Sequence, residues 1–371
     1  MVPDGMGFLY PQVDAGLCVD CGLCERVCTF TRPRSREEED MAREAEVLRF
    51  PDFLDRSQSG GLAYALMRKA VAAGYKVYGA AMDADFVVRH RRVEDLEGLQ
   101  ALRLSKYVQS DMAGVPAQVL ADLKVGRSVF FTGTACQCAG IASLCRTYRS
   151  GGSDARPSAR SGEGSRPRLL LMDIVCHGVP APYVWRDYLD HVSRRQGSKL
   201  RSALFRDPAQ GWHASKEKLV FEDATLVRDD YAFLYYQRYM MRPACHACPY
   251  ACLSRPSDVT AADCWGIEKA LPGFADDNRG CSLMLVHTPA GHAFAADFPD
   301  RHLRRMLPLK EVLQENLQRP VRPSPFAGLF ARVYRTMGFA AAFHLFGQRA
   351  LPVRAARKLR RWVKTIKRRS S

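Results

Sequence analysis

Thirteen cysteines are the side chains of this 371-residue sequence best suited to chemistry, and four of them form a run. Cys18, Cys21, Cys24 and Cys28 are spaced Cys-x2-Cys-x2-Cys-x3-Cys. Gaps of two residues let one short segment wrap a cubane and offer thiolates to three irons, with the fourth ligand one turn later. Zinc ordinarily takes two separated pairs, so this spacing selects a 4Fe–4S cluster. Thr29 stands where bacterial ferredoxins carry Pro, and in two-cluster ferredoxins the last cysteine of such a run serves the other cluster. Cys28 is therefore a ligand of the local cluster or of a second one.

Four further cysteines sit where strands should end or turns begin. They are Cys136 in Gly133-Thr-Ala-Cys-Gln137, Cys176 in Cys176-His-Gly-Val-Pro180, and the pair Cys245 and Cys248. Taken singly, each reads as a small buried hydrophobe, and a lone Cys-x2-Cys suits zinc or redox chemistry equally. Taken together they make a four-thiolate site drawn from distant segments. Spacing leaves both readings open. Cys138, Cys145, Cys252, Cys264 and Cys281 have no such context and are expected in packing.

An odd count and tight local spacing argue against a disulfide framework and for metal ligation. Met1 to Gln12 carry no basic stretch followed by an apolar core, so a secretory leader is not expected. Thr336 to Gln348 is too short to span a bilayer. The expectation is a cytoplasmic protein.

The net charge of +16 is uneven: no acid follows Glu315, while residues 1–315 sum to +2. The basic character belongs to a tail, and no specific nucleic-acid partner is expected of the body. Leu351 to Lys367 alternates Val353, Leu359, Trp362, Val363 and Ile366 with Arg and Lys, as a basic amphipathic helix does. Such a helix lies on an anionic membrane surface, here the inner face. A solvated helix or a non-specific nucleic-acid contact is the alternative.

The elements that must position these groups follow an α/β pattern. Arg34 to Glu46 is a charged run, read as a solvated linker or helix. Gln58-Ser-Gly-Gly61 precedes Leu62, Leu66, Ala70 and Val71, spaced for an amphipathic helix. Lys76 to Ala81 and Phe86 to His90 read as strands, Pro116 to Lys124 as a helix, and Ser128 to Thr132 as a buried strand. Gly133 to Gln137 reads as a turn and Ala139 to Tyr148 as a helix. Arg149 to Arg168 is rich in Ser, Gly, Arg and Pro and reads as a flexible insertion. Leu169 to Val175 is a buried strand, Pro182 to Arg195 a helix, and Leu200 to Arg206 with Glu217 to Glu222 an antiparallel region.

Several runs in consistent order resemble one family. They are Ser57-Gln-Ser-Gly-Gly61, Leu104-Ser-Lys-Tyr-Val-Gln-Ser110, Phe131-Thr-Gly-Thr-Ala-Cys-Gln137 and Asp173-Ile-Val-Cys-His-Gly-Val-Pro180. Phe205-Arg-Asp207 with Gly211-Trp212, Arg242-Pro-Ala-Cys-His-Ala-Cys-Pro-Tyr250, Ser257-Asp-Val-Thr260 and Asp263-Cys-Trp-Gly266 continue the series. Together they resemble the coenzyme F420 hydrogenase/dehydrogenase beta-subunit family, which is related to 7-hydroxymethyl chlorophyll a reductase-like proteins. Ala135 stands where a Pro is usual, and the cysteine-rich segment is shorter than a full two-cluster ferredoxin module.

The resemblance implies a mixed α/β (α+β) fold with a ferredoxin-like 4Fe–4S segment (1–45) and a flavin-binding core in two parts (46–148 and 169–325); composition adds the insertion (149–168) between them and a basic helical tail (326–371). It implies one or two 4Fe–4S clusters and FAD, with Cys136, Cys176, Cys245 and Cys248 sharing a site. Ser59, Gly60, Gly61, Lys106, Tyr107, Gln109, Ser110, Thr132, Gly133 and Thr134 would hold the flavin. Glycines before a helix let N–H groups approach phosphate, though a glycine turn with a Ser cap reads as well. Lys106 also reads as a surface charge and Tyr107 as core. Thr132 to Thr134 lie at a strand end, where open α/β sheets bind ligands.

The expected function is an oxidoreductase relaying electrons between the clusters and FAD, to reduce or oxidise an organic substrate or a deazaflavin coenzyme. A ferredoxin or another redox subunit would be the partner. His177 is the candidate proton donor, since its ordinary pKa lies near neutrality; orienting Cys176 is the alternative. Asp173, Asp258 and Asp263 are weaker candidates. An electron-transfer subunit without its own substrate, and a zinc-stabilised binding protein, remain open on sequence alone.

Overall fold

The structure is a computed structural model, and it describes residues 1–31, 44–151, 168–296, 298, 303–351 and 353–354. Two short strands, β1 (Val2–Pro3) and β2 (Leu9–Tyr10), pair ahead of the cysteine run, in which α1 (Leu23–Val27) is a single short helix. There follow β3 (Glu44–Arg49), α2 (Leu62–Ala72), β4 (Lys76–Met82), β5 (Val88–Val93), α3 (Leu99–Leu102), α4 (Val115–Lys124), β6 (Val129–Thr134), α5 (Ala135–Gly151) and β7 (Leu169–Ile174). The second part of the chain adds α6 (Pro182–Gln196), β8 (Leu200–Leu204), β9 (Glu217–Phe221), β10 (Thr225–Arg228), α7 (Asp230–Tyr236), β11 (Val259–Asp263) and α8 (Ile267–Ala270). It closes with β12 (Ser282–Val286), α9 (Pro289–Ala295), β13 (Leu303–Pro308), α10 (Leu309–Val312) and α11 (Ala327–Phe346).

One eight-stranded sheet, in the order β13-β3-β12-β11-β7-β6-β4-β5, is built from both parts of the chain. Its centre is parallel: β4 on β6, β6 on β7 and β7 on β11. β5, β12 and β13 pair antiparallel to their neighbours. Parallel strands covered on both faces need continuous apolar runs, and Val129 to Phe131 and Leu170 to Met172 supply them. Leu62, Leu66, Val77, Phe130 and Met284 pack one face; Tyr78, Val119, Phe131, Ile141 and Leu171 pack the other. A separate aromatic layer, with Trp185, Tyr188, Phe205, Tyr231, Phe330 and Phe339, joins α6, β8, α7 and α11.

Most expected elements are present, with instructive differences. The expected turn at Gly133–Gln137 is absent: β6 runs to Thr134 and α5 starts at the next residue. The strand read at Phe86 begins instead at Val88, because Phe86 itself has φ 59 and forms the turn out of β4. Glu44 to Glu46, read with the charged run, are the start of β3, and Glu46 is buried where Arg304 pairs with it. The rest of that run, most of the expected insertion and the tail beyond 354 lie outside the described residues. Among the described residues, no helix is long and apolar enough to cross a membrane.

Candidate functional site

The carboxyl ends of the parallel strands place the candidate ligands. β6 ends at Thr134, two residues before Cys136; β7 ends at Ile174, two residues before Cys176. Cys245 and Cys248 lie on and just after a 3-10 turn, Pro243–Ala247, that brings the third segment to the same edge. Gly178 seats against Cys245: a Cβ there would stand 3.1 Å from the Cβ of Cys245, and its φ of +103 favours glycine. The charges of Cys245, Cys136 and Cys248 all act on Cys176, so the four thiols share one neighbourhood.

These sulfurs are held by donors. The Gly178 N–H donates to Cys176 Sγ at 3.3 Å, and Thr134 Oγ1 lies 3.1 Å from Cys136 Sγ. The backbone N–H of Val179 reaches Cys245, and those of Tyr250 and Ala251 reach Cys248. Burial, aided by neighbouring thiols, raises all three of Cys176, Cys245 and Cys248, Cys245 to about 11. Left alone they are thiols; as thiolates they need positive charge among them. Among the described residues, no three of these sulfurs lie within 4.8 Å of one another. A tetrahedral zinc with four thiolates would draw them to about 3.8 Å. N–H···S bonds of the kind made here tune an iron–sulfur cluster when one is bound.

Cys18, Cys21 and Cys24 are exposed and Cys28 is half-buried. Asp20 (φ 49) and Gly22 (φ 63) are left-handed on either side of Cys21, which curls the loop. Val13, Leu17, Val19 and Leu23 are exposed around it. The segment is not remote from the other set. α1 packs on α5, and the Phe30 ring meets Tyr250 edge-on at 6.1 Å. Tyr250 in turn packs with Ala135 and Ala139 against Cys136 and Cys248.

A polar and aromatic seam leads away from the central thiols. The His177 and Tyr235 rings lie 5.6 Å apart, Tyr235 and Tyr107 lie 5.0 Å apart, and Tyr107 bonds Arg206. Arg206 pairs with Asp263 at 2.6 Å, and Ser59 Oγ donates to Asp263 at 2.5 Å. Trp265 caps the far end, stacked at 4.8 Å on Trp212 and half in solvent. His177 Nδ1 lies 3.3 Å from Asn316 Oδ1, while Nε2 is buried with no partner. Burial lowers its pKa, so the ring is neutral at neutral pH. With Nδ1–H on Asn316, Nε2 is an acceptor, a different role from the expected donor.

The expected flavin residues divide. Ser110 and Thr134 meet through Gln137, whose amide bonds both at 2.9 Å, and Thr132 to Thr134 stand at the sheet edge beside Cys136. Tyr107 lies in the seam. Gly60 and Gly61 are packed instead against protein: a Cβ on Gly60 would come 2.1 Å from Ser282 N, and one on Gly61 3.1 Å from Phe53. Ser282 Oγ takes the Leu62 N–H, and Ser59 turns to Asp263 rather than capping α2. A side chain on Gly133 would meet Gln137 and His90. Lys106 donates to the carbonyls of Ala101 in α3 and Arg103 just after it, and Gln109 accepts from Leu9 N. Asp258 holds the Leu171 N–H and the Thr288 hydroxyl, a structural role.

Asn316, Tyr235, His90 and Arg255 are not singled out by the sequence, and Gln137 enters only as the last residue of the run Phe131–Gln137. None stands in a spacing that marks a ligand; the nearest signal is Arg206, inside Phe205-Arg-Asp207.

The sequence profile of the C-terminal part of the beta subunit of coenzyme F420 hydrogenase/dehydrogenase matches residues 126–310, which include β6, β7, β11 and all four central cysteines. The chain belongs to the coenzyme F420 hydrogenase/dehydrogenase beta-subunit family. At that level this family member is an oxidoreductase. In structure it is similar to a chain of the F420-reducing NiFe hydrogenase complex from Methanosarcina barkeri, at TM-score 0.47 and 16% identity over 84% of this chain and 93% of that one. Comparison with curated proteins gave no match.

Proposed function

We propose that this beta-subunit family member relays electrons between two thiolate-held iron–sulfur sites and a flavin, and passes them to or from an organic substrate or a deazaflavin coenzyme. The observation that carries the reading is the convergence of Cys136, Cys176, Cys245 and Cys248 from three segments, each in reach of a backbone or hydroxyl donor. When bound, iron–sulfur clusters supply single-electron transfer and a flavin couples it to two-electron chemistry.

The chain's own residues have separate tasks. Cys18, Cys21, Cys24 and Cys28 hold the outer cluster, at an exposed apolar rim that suits a ferredoxin or another redox subunit. Tyr250 and Phe30 meet edge-on between the two sets. Ser110, Thr132, Thr134 and Tyr107 are the flavin contacts proposed here, and FAD itself enters through the family resemblance. Gly60 and Gly61 do not open toward a phosphate, and no role there is assigned to them. His177 accepts a proton at Nε2 or a hydrogen bond from the substrate. The basic tail supports peripheral contact with the inner membrane face of the cytoplasm.

Anaerobic purification with iron, sulfide, zinc and flavin assays tests the reading. The expected product is brown, with about eight irons and eight sulfides per chain. A colourless preparation with stoichiometric zinc overturns it. Reduction of no organic acceptor by a loaded chain that still exchanges electrons with ferredoxin would assign it as a relay subunit without its own substrate.

A further inference from the structure

Asp173, near the end of β7, is fully buried, and a buried carboxylate is costly unless it is paired. Its partner is Arg255, equally buried: Nη2 lies 3.0 Å from Oδ1, and Nε lies 3.3 and 3.2 Å from the two oxygens. Thr260 Oγ1 adds a bond to Oδ1 at 2.6 Å. The rest of the guanidinium reaches beyond this pair. Nη1 donates to the carbonyl of Tyr250, two residues after Cys248, and Nη2 to that of Ile174 at 3.0 Å, two residues before Cys176. The Tyr250 ring packs on Ala135 and Ala139, which flank Cys136 on α5. On the same helix, Cys138 Sγ reaches Met172 O on β7 at 3.5 Å.

One side chain thus ties together two of the three segments that supply the central thiols, and the Tyr250 ring, whose carbonyl it holds, packs on the third. We infer that Arg255, oriented by Asp173, is a positioning residue that sets the spacing of Cys136, Cys176, Cys245 and Cys248 for a polynuclear cluster; this rests on the function proposed above. Arginine suits the task, because its planar fork serves three acceptors in different directions at once. A lysine ammonium keeps the charge and loses the fork.

The test replaces both partners together, as Asp173→Leu with Arg255→Met, so that no buried charge is stranded and apolar volume fills the space. Arg255→Lys is made alongside it. After anaerobic purification of the full chain, the double variant is expected to show the parent's circular dichroism but about half its iron and sulfide. One of its two cluster signals in electron paramagnetic resonance should be missing. Arg255→Lys is expected to lose iron to a chelator several-fold faster than the parent, with an altered signal for that cluster. Full iron, the parent's spectrum and an unchanged midpoint potential in both variants would overturn the inference and leave the pair a simple brace. A parent chain carrying zinc, or no iron at all, fails differently: it removes the proposed function itself before either variant is compared.

Discussion

At the scale of single residues, His90 links buried position to pH. Its ring stacks on Phe131 at 5.2 Å, Nε2 bonds Thr132 O at 3.1 Å, and Nδ1 is buried without a partner. Burial, and to a lesser degree Lys106, holds its pKa at about 4 instead of 6.5. As pH falls, the unfolded chain takes up this proton first. Its contribution is therefore complete above pH 6.5 and drains away down to about pH 4, a loss of about 3 kcal/mol. Urea unfolding from pH 7 to pH 4.5 should show that slope, and His90→Phe should flatten it; equal slopes would remove the account. Gly60→Ala makes a second prediction. Its methyl would strike the backbone at Ser282, so stability should fall by about 2–3 kcal/mol in the same assay. The position and spacing of the outer cysteine run were legible in the sequence itself. The role of Gly60 was not, since two glycines before a helix look alike whether they face phosphate or a neighbouring strand.

At the scale of elements, hydrophobic pattern placed most of the strands and helices it marked to within two residues, but β11, β12, β13 and α11 went unmarked. The failures have identifiable causes. A Gly-Thr pair after an apolar run reads as a turn, yet β6 keeps its register with β7 through Gly133 and Thr134. The charged start of β3 misled because Glu46 is paired with Arg304 from β13, more than 250 residues away. Long-range pairing of this kind leaves no local trace. α4 shows the same dependence. Asp122 accepts from Tyr78 at 2.6 Å and pairs with Arg92 at 2.7 Å, tying α4 to β4 and β5. Asp122→Ala would strand a buried phenol and leave Arg92 with Glu94 alone, at about 2–3 kcal/mol by denaturant titration. Loss below about 0.5 kcal/mol would mean that the helix is held by its apolar face alone.

At the scale of the whole molecule, the core and the charge are separate. Phe330, Phe339 and Phe346 of α11 are buried in the aromatic layer, so a truncation at residue 330 would remove core as well as tail. A chain ending at Arg354 is the sound comparison; it lowers the formal net charge from +16 to +8. It should melt with the full chain yet lose salt-sensitive co-sedimentation with anionic vesicles. Equal sedimentation of both would dismiss the membrane role.

The parallel pairing of β6 with β7 also sorts the molecule into a working end and an idle one. Leu169 lies beside Val129, so the chain leaves α5 at Gly151 and returns to the sheet at the strands' amino ends, far from the thiols. A handle spliced between Gly151 and Arg168 would anchor the protein to a surface by its back. Immobilised in that way on an electrode, it would present its cysteines outward, and current could be read without a soluble donor.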